Sequence, residues 1–236
     1  MTDDLFMPQE QLLLPLQARH DLSLADIPPL AFASVLSALS QLMQDQLSQV
    51  YIWGEPGSGR SLLLSALMAS QSNASHAVML PLKQVVFMPI EMLDGLEQCP
   101  LVVLDDIDAL RQWPEWQEAV FHFYNRMKAA GGRLLVTGAQ PPADLPLGLA
   151  DLRSRMAASS VYALPACSDE VRSELLAVAG ARRSWNLGDD TVAYLLSRGP
   201  RRLGQFWALI EQLDKFTLQQ KRPLTIPLIR ECMNAA

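Results

Sequence analysis

Residues 54–61 have the spacing of a phosphate-binding loop, GxxxxGK[ST], except that arginine replaces the lysine. Glycines at these positions let backbone N–H groups turn toward phosphate oxygens, and a helix that starts near Arg60 would add the positive end of its dipole. The alternative is a glycine-rich turn that binds no ligand. The residues predicted to contact a nucleotide are Gly54, Pro56, Gly57, Ser58, Gly59, Arg60, Ser61 and Leu62.

Two adjacent carboxylates, Asp105 and Asp106, follow the apolar run Leu101–Leu104. At the end of a buried strand beside a phosphate loop, the first carboxylate is placed to hold Mg²⁺, together with the hydroxyl of Ser61. The second is placed to orient an attacking water as a general base. The alternative is a pair of solvated acids at a strand end. We therefore predict Asp105 and Ser61 as Mg²⁺ ligands and Asp106 as a water-positioning residue.

Arg60 is the main departure from the loop pattern. Lysine is a compact point charge, whereas arginine is a wide planar fork with a different reach. Arginine can still pair with a β-phosphate but is less suited to an undistorted γ-phosphate pocket. We expect a site that favours a nucleoside diphosphate and hydrolyses ATP poorly; the base of the nucleotide stays open, because backbone contacts to phosphate do not read it.

Three further polar positions could act on phosphate. Thr137 ends a predicted strand, where it would lie beside a γ-phosphate, or it could simply end the strand. Arg155 lies on a short predicted helix, from which it could reach a neighbouring molecule's nucleotide; a surface salt bridge is the alternative. Arg201 is expected in the first residues of a helix, an unfavourable place for a cation beside the helix dipole. It either faces phosphate or is solvated.

The apolar periodicity predicts how these residues are positioned. Short apolar runs alternate with helical patterns as far as about residue 164, which predicts an α/β domain with a five-stranded parallel sheet and helices on both faces. From residue 165 onward only helical patterns remain. We predict an extended N-terminal arm over 1–30, the α/β domain over 31–164 and a small all-helical domain over 165–236.

Composition excludes several classes. The chain has 236 residues, half of them hydrophobic, and a net charge of −6, which excludes a disordered chain and argues against a surface coated in basic residues. No apolar run is long enough for a membrane helix, and the acidic N-terminus lacks the positive region of a signal peptide. Three scattered cysteines predict reduced thiols rather than a disulfide frame or a metal site. We expect a cytoplasmic protein with no membrane partner.

Together the phosphate loop, Asp105-Asp106, Thr137, Ser154-Arg155 and Arg201 resemble the motifs of AAA+ ATPases in their order along the chain. Nearly the whole chain is similar to the DnaA-related family that regulates the bacterial replication initiator. Gly57–Ser61, Tyr124-Asn125-Arg126, 134–142 and 224–227 carry that likeness. The resemblance implies an AAA+ fold with a helical lid, bound ADP, and Arg155 as an arginine finger that acts in trans on ATP bound to DnaA. It also implies that Arg201 faces phosphate.

The arm contributes a further motif, Gln11-Leu12-Leu13-Leu14-Pro15-Leu16. By itself it could be a loose apolar arm that packs on its own domain. The family resemblance implies instead the peptide that docks into the DNA polymerase sliding clamp, with a polar glutamine anchor and leucines in an apolar pocket. The implied function is negative regulation of replication initiation, by a clamp-docked activator of the initiator's ATPase.

Two positions depart from the family pattern. Ala139 stands where an acidic residue is frequent in the family. Asp106 replaces the glutamate of active AAA+ ATPases; because an aspartate, one methylene shorter, could still hold the attacking water, hydrolysis by this chain stays open. The alternatives are an autonomous ATPase, such as a helicase loader or a clamp-loader-like subunit, and a DNA-binding initiator. The acidic charge and the lack of a recognisable DNA-binding domain oppose sequence-specific DNA binding. Homo-oligomer formation stays open.

Overall fold

A computed structural model describes residues 22–71 and 77–234. Its sheet contains five parallel strands in the order β2-β3-β4-β1-β5. The strands are β1 (Gln49–Trp53), β2 (Ala77–Pro81), β3 (Leu101–Asp105), β4 (Arg133–Gly138) and β5 (Ser160–Ala163). The carboxyl ends of β1, β3 and β4 are therefore neighbours, which brings the phosphate loop, the two aspartates and Thr137 to one edge.

Helices cover both faces of the sheet. The helices of the α/β domain are α1 (Ala33–Met43), α2 (Arg60–Ser70), α3 (Leu82–Val85), α4 (Pro114–Ala129) and α5 (Ala150–Ala158). Alternate strand residues enter two separate cores: Val50 and Ile52 pack in one, and Tyr51 packs in the other. This alternation follows from the two-residue repeat of a strand buried on both faces. The predicted fold class is confirmed.

The helical domain consists of α6 (Asp169–Arg182), α7 (Asp189–Arg198), α8 (Leu203–Gln220) and α9 (Ile226–Asn234). Its apolar residues join the core on the α1 and α2 face of the sheet, so one apolar cluster runs through both parts of the chain. The Ser168 hydroxyl caps α6 by accepting a hydrogen bond from the Val171 N–H, as its residue type predicts. The residue type of Asp189 also predicts a cap, for α7, but Gly188 holds that position and Asp189 lies in the first turn.

The structure differs from the prediction around residues 82–98. The apolar pattern predicts one helix from Met88 to Leu96, whereas the chain forms α3 and two short 3-10 turns, Ile90–Leu93 and Leu96–Gln98. Pro89 lies directly before the first turn, and Gly95, at φ 81°, separates the two. A proline and a left-handed residue interrupt regular helical hydrogen bonding, which the apolar pattern alone does not reveal.

The predicted extended arm is also corrected where it can be described. From residue 22 the chain is packed: Leu22 and Ile27 are buried, and a 3-10 turn spans Leu24–Asp26. The buried Asp26 carboxylate forms an ion pair with Arg182 of α6 and accepts a hydrogen bond from the Ser23 N–H at 2.8 Å. Residues 1–21, which include the predicted clamp-binding motif, lie outside the described residues.

No helix in the described part of the chain is long and apolar enough to cross a membrane.

Candidate nucleotide site

The phosphate loop connects β1 to α2 and depends on two left-handed glycines. Gly57 has φ 101° and Gly59 has φ 103°, and Gly59 is the N-cap of α2. L-residues with a side chain rarely adopt such angles. The loop also contains a buried side-chain oxygen without a hydrogen-bond partner, Ser58 Oγ. The two left-handed glycines fit a loop whose backbone N–H groups receive a polar ligand.

The lid lies directly on this loop. The Leu203 N–H donates a hydrogen bond to the Gly57 carbonyl at 2.9 Å. A Cβ at Gly59 would lie 2.7 Å from Leu203 Cδ2, and a Cβ at Gly57 would lie 3.0 Å from Arg202 Cγ. The glycines are therefore required by the closeness of the lid as well as by their backbone angles.

A cavity of about 430 Å³ lies between the loop, the start of α2 and the start of α8. Of the residues predicted to contact nucleotide, it is lined by Gly57, Gly59, Arg60, Ser61 and Leu62. Gly54, Pro56 and Ser58 are not part of its lining. Gly54 is buried under the loop, where a Cβ would lie 2.5 Å from Ser58 Oγ.

The guanidinium of Arg60 points into the sheet edge. Nη1 donates to the Gly54 carbonyl and, at 2.8 Å, to the Gly138 carbonyl, while Nη2 donates to Asp106 Oδ1 at 2.6 Å. The Lys83 ammonium contacts the other oxygen, Asp106 Oδ2, at 2.7 Å. Both oxygens of the predicted water-positioning carboxylate are therefore held by cations of this chain.

Asp105 has different surroundings. Its carboxylate is buried and accepts a hydrogen bond from the Thr137 hydroxyl at 2.5 Å. Burial, reinforced by the charge of Asp106, raises the pKa of Asp105, although Thr137, Arg60 and Lys83 act in the opposite direction. Thr137 also accepts a hydrogen bond from the Asp106 N–H at 3.1 Å, so it holds both aspartates in place.

A nucleotide and its metal ion fit this arrangement in part. The glycine cradle suits a phosphate, and Ser61 and Asp105 present the hydroxyl and carboxylate oxygens that Mg²⁺ prefers alongside phosphate and water. The described residues contain no group of three His, Cys, Asp or Glu side chains that could hold a metal ion by themselves. Any Mg²⁺ would therefore take its remaining ligands from phosphate and water.

Among the lid arginines, the one against the loop is Arg202. Both Arg201 and Arg202 are exposed, but of the two only Arg202 lines the cavity. The helix predicted to begin at Arg201 begins at Leu203, with Arg202 as its N-cap. This two-residue shift changes which side chain reaches the loop.

Arg155 lies away from the loop on α5, where its guanidinium stacks over aromatic rings of α4. It is 5.6 Å from the Phe121 ring centre and 6.0 Å from that of Tyr124. Within residues 22–71 and 77–234, no carboxylate forms an ion pair with Arg155. Arg155 therefore does not form the surface salt bridge that was the alternative for it within the described residues.

Sequence reasoning missed Lys83 and Asp108. Lys83 follows β2, whose last residue, Pro81, pairs with Asp105 of β3, so the strand register brings Lys83 to the aspartates. The Asp108 carboxylate accepts a hydrogen bond from the Ala139 N–H at 2.8 Å, which ties the end of β4 to the segment after β3. Inspecting lysines at the carboxyl ends of all predicted strands would have indicated Lys83; nothing in the pattern indicated Asp108.

Comparison with known proteins gives a lid-domain match and a shared fold. Residues 169–233 match the family model described as Hda, lid domain. Domain III of the replication initiation protein DnaA from Thermotoga maritima superposes with a TM-score of 0.69 at 13% identity, covering 91% of this chain and 98% of that one.

Two further solved structures share the fold. AMPPCP-bound DnaA from Aquifex aeolicus superposes with a TM-score of 0.67 at 14% identity, covering 81% of this chain and 65% of that one. The Thermotoga maritima RuvB Holliday junction branch migration motor superposes with a TM-score of 0.59 at 15% identity, covering 86% of this chain and 68% of that one. This chain thus spans about two thirds of those longer proteins. The chain therefore shares the fold of these DnaA and RuvB structures, and its residues 169–233 match the lid-domain model of the Hda family.

Proposed function

We propose that this protein is a negative regulator of replication initiation. In this proposal it binds ADP, docks on the DNA-loaded sliding clamp through Gln11–Leu16 and stimulates ATP hydrolysis by the initiator DnaA. The lid-family match and the DnaA-like fold support a DnaA-related regulator. The clamp, the bound diphosphate and the trans arginine are the specific parts of the proposal.

The observation that carries the proposal is the setting of Arg155. Its charge has no carboxylate partner among the described residues, and the rings of Phe121 and Tyr124 support the guanidinium from the side. A cation–π contact uses the face of the guanidinium and not its N–H bonds, so the N–H groups of Arg155 remain able to donate hydrogen bonds. An arginine held in this way can be offered to an anion on another molecule.

An arginine supplied in trans acts on a phosphoryl group as it transfers. In the initiator's site, a water oxygen would bond to the γ-phosphorus while the bond to the β,γ-bridging oxygen breaks, and ADP would leave with that electron pair. The guanidinium stabilises the negative charge on the transferring group, an effect worth roughly 10³–10⁵-fold in rate in other systems. Arg155 would supply this charge and take up no proton.

The nucleotide of this chain has a binding role in the proposal. The loop cavity, with Arg202 of the lid at its edge, suits phosphate groups, and Ser61 with Asp105 would hold Mg²⁺ if it accompanies them. The solved DnaA from Aquifex aeolicus carries AMPPCP, which supports a nucleotide in the corresponding fold here. Because the lid contacts the loop directly, bound ADP would fix the lid against the α/β domain.

Reconstituted hydrolysis tests the proposal. Initiator loaded with labelled ATP is mixed with DNA-loaded clamp and this protein, and ADP formation is followed with time. Arg155→Ala should reduce the stimulated rate by about 10²-fold or more, since it removes the trans charge. Its ADP affinity should match that of the parent protein, and loss of the cation–π contacts, about 0.5–1 kcal/mol, should lower Tm by only a few degrees.

Ser154→Ala serves as the matched control, because this neighbour on α5 is exposed and carries no charge. It should leave the stimulated rate unchanged. If Arg155→Ala stimulates as well as the parent, the finger assignment is wrong. If the parent hydrolyses ATP rapidly without the initiator, an autonomous ATPase replaces the proposal.

A further inference from the structure

The side chain of Arg60, in the phosphate loop, is bonded to protein groups on three sides. It joins the ends of β1 and β4 through the Gly54 and Gly138 carbonyls and contacts Asp106 with its other terminal nitrogen. We propose that Arg60 is a positioning residue that restrains Asp106 and so suppresses ATP hydrolysis in this chain's own site. The inference rests on the nucleotide-binding part of the proposed function.

The position of Asp106 makes it sensitive to such restraint. Its backbone is left-handed, with φ 58°. This conformation is uncommon for residues other than glycine, and it recurs at functional sites. The hydrogen bond from its N–H to Thr137 holds the backbone there. The carboxylate then meets Arg60 on one oxygen and Lys83 on the other, at 2.6 and 2.7 Å.

An oriented carboxylate is needed for a hydrolytic step. The carboxylate must accept a hydrogen bond from the attacking water and take its proton as the oxygen bonds to the γ-phosphorus and ADP leaves. Reach and angle decide whether it can do so. At Asp106 each oxygen is already directed at a cation, and aspartate is one methylene shorter than glutamate. Each oxygen keeps a lone pair, but the two contacts fix the orientation of the carboxylate, and turning it toward the attacking water would require a strong charged contact to break.

The contacts of Arg60 depend on arginine specifically. One terminal nitrogen bridges two carbonyls while the other reaches the carboxylate, which a planar fork allows. Lysine carries a single nitrogen at the end of a flexible stem and lacks this geometry. Arg60→Lys should therefore release Asp106 while keeping a positive charge in the loop.

The test measures binding and single-turnover hydrolysis of ATP by the purified full chain. We expect Arg60→Lys to raise the hydrolysis rate at least about tenfold, a fraction of the roughly 10²–10⁴-fold that a positioned base contributes. ATP affinity should stay within about threefold of the parent value, because the charge is kept. A gain of rate is not an outcome that general damage to the loop would produce.

Three variants complete the design. Arg111→Lys is the matched control, since Arg111 is exposed on the segment after β3 and is not one of the cations that hold Asp106; its rate should equal the parent rate. Arg60→Lys combined with Asp106→Asn should lose the gain. Lys83→Gln changes a side chain that is 59% exposed, so folding should be unaffected. This variant should also raise the hydrolysis rate, by a smaller factor than Arg60→Lys.

The outcomes separate the two proposals. If the parent and Arg60→Lys bind ATP equally but hydrolyse it at the same rate, Asp106 is not restrained by Arg60 and this inference fails alone. If folded Arg60→Lys loses ATP binding, Arg60 is a phosphate ligand, which also overturns the inference. If the parent binds neither ADP nor ATP, the proposed function fails and this inference fails with it.

Discussion

At the scale of single residues, Asp105 and Asp106 are adjacent in sequence but differ in their surroundings. Asp105 is buried against Thr137, whereas Asp106 turns outward through a left-handed backbone to meet two cations. The sequence predicts that both lie at the strand end, because a buried strand followed by acids is a strong pattern. It does not predict the Arg60 contacts, which need Gly138, a residue 78 positions away.

The buried Asp105 predicts a pH dependence. Its pKa is raised above the ordinary value of 3.8, so its ionised form costs stability, and that cost appears as the pH rises through the raised pKa. Asp105→Asn should therefore stabilise the fold at neutral pH, and each kcal/mol gained should raise Tm by roughly 2–4 °C.

Thermal unfolding of parent and variant from about pH 3 to about pH 8 measures this effect. The stability difference should shrink toward the acid end, where Asp105 is protonated in both folded and unfolded chains. Asp144→Asn, a carboxyl on the exposed turn after β4, is the control and should show no comparable gain. A variant that is less stable at neutral pH would show that the hydrogen bond from Thr137 outweighs the burial cost.

At the scale of elements, the site depends on how the start of α8 meets the phosphate loop. Most elements are predictable, because buried strands and amphipathic helices repeat with different periods. The predicted start of α8 is wrong by two residues, and the helix predicted from Met88 to Leu96 is instead two short 3-10 turns. The first error lies at a helix end, where boundaries are hard to predict, and the second arises because Pro89 and Gly95 interrupt a segment whose apolar periodicity is helical.

Gly59 tests the contact between the loop and the lid. Gly59→Ala introduces a side chain at φ 103° and places its Cβ 2.7 Å from Leu203. Backbone strain of about 1–2 kcal/mol and overpacking of about 1–3 kcal/mol should together lower the free energy of unfolding by roughly 2–5 kcal/mol. Nucleotide affinity should fall as well.

Gly131→Ala provides the matched control for denaturant titrations. Gly131 also has positive φ, 72°, but nothing among the described residues lies within 4 Å of the position that an alanine Cβ would take, so only the backbone strain applies. The free energy of unfolding should fall by only about 1–2 kcal/mol, with nucleotide affinity unchanged. Equal losses in the two variants would mean that the lid contact adds nothing.

At the scale of the whole molecule, the proposed activity needs the protein to be recruited to DNA-loaded clamps through its arm. The residue types of Gln11–Leu16 suit an extended docking peptide, but they also suit a loose apolar arm, and only the family resemblance favours a clamp-binding motif. The packing of the chain from Leu22 onward cannot be predicted from the sequence, because it involves an ion pair between Asp26 and Arg182, which are far apart along the chain.

A pull-down on the sliding clamp tests recruitment. Gln11→Ala with Leu14→Ala should weaken binding by about tenfold or more, since docking peptides rely on a few anchor side chains. Gln9→Ala with Gln17→Ala changes two glutamines outside the motif and should bind like the parent. Absence of clamp binding by the parent would remove this part of the proposal and leave the partner unknown.

The anchoring of residue 22 has a consequence for how far the protein can move once recruited. Leu22 is buried and Asp26 is tied to α6, so only the steps from Leu16 to Leu22 separate the motif from the folded body. A stretch of about six residues spans at most about 20 Å. A docked molecule would therefore be held on a short tether, with a high local concentration near the clamp and a restricted range of orientations. Arg155 would then reach only a limited volume beside the DNA, and ATP bound to an initiator outside that volume would not be hydrolysed with its help.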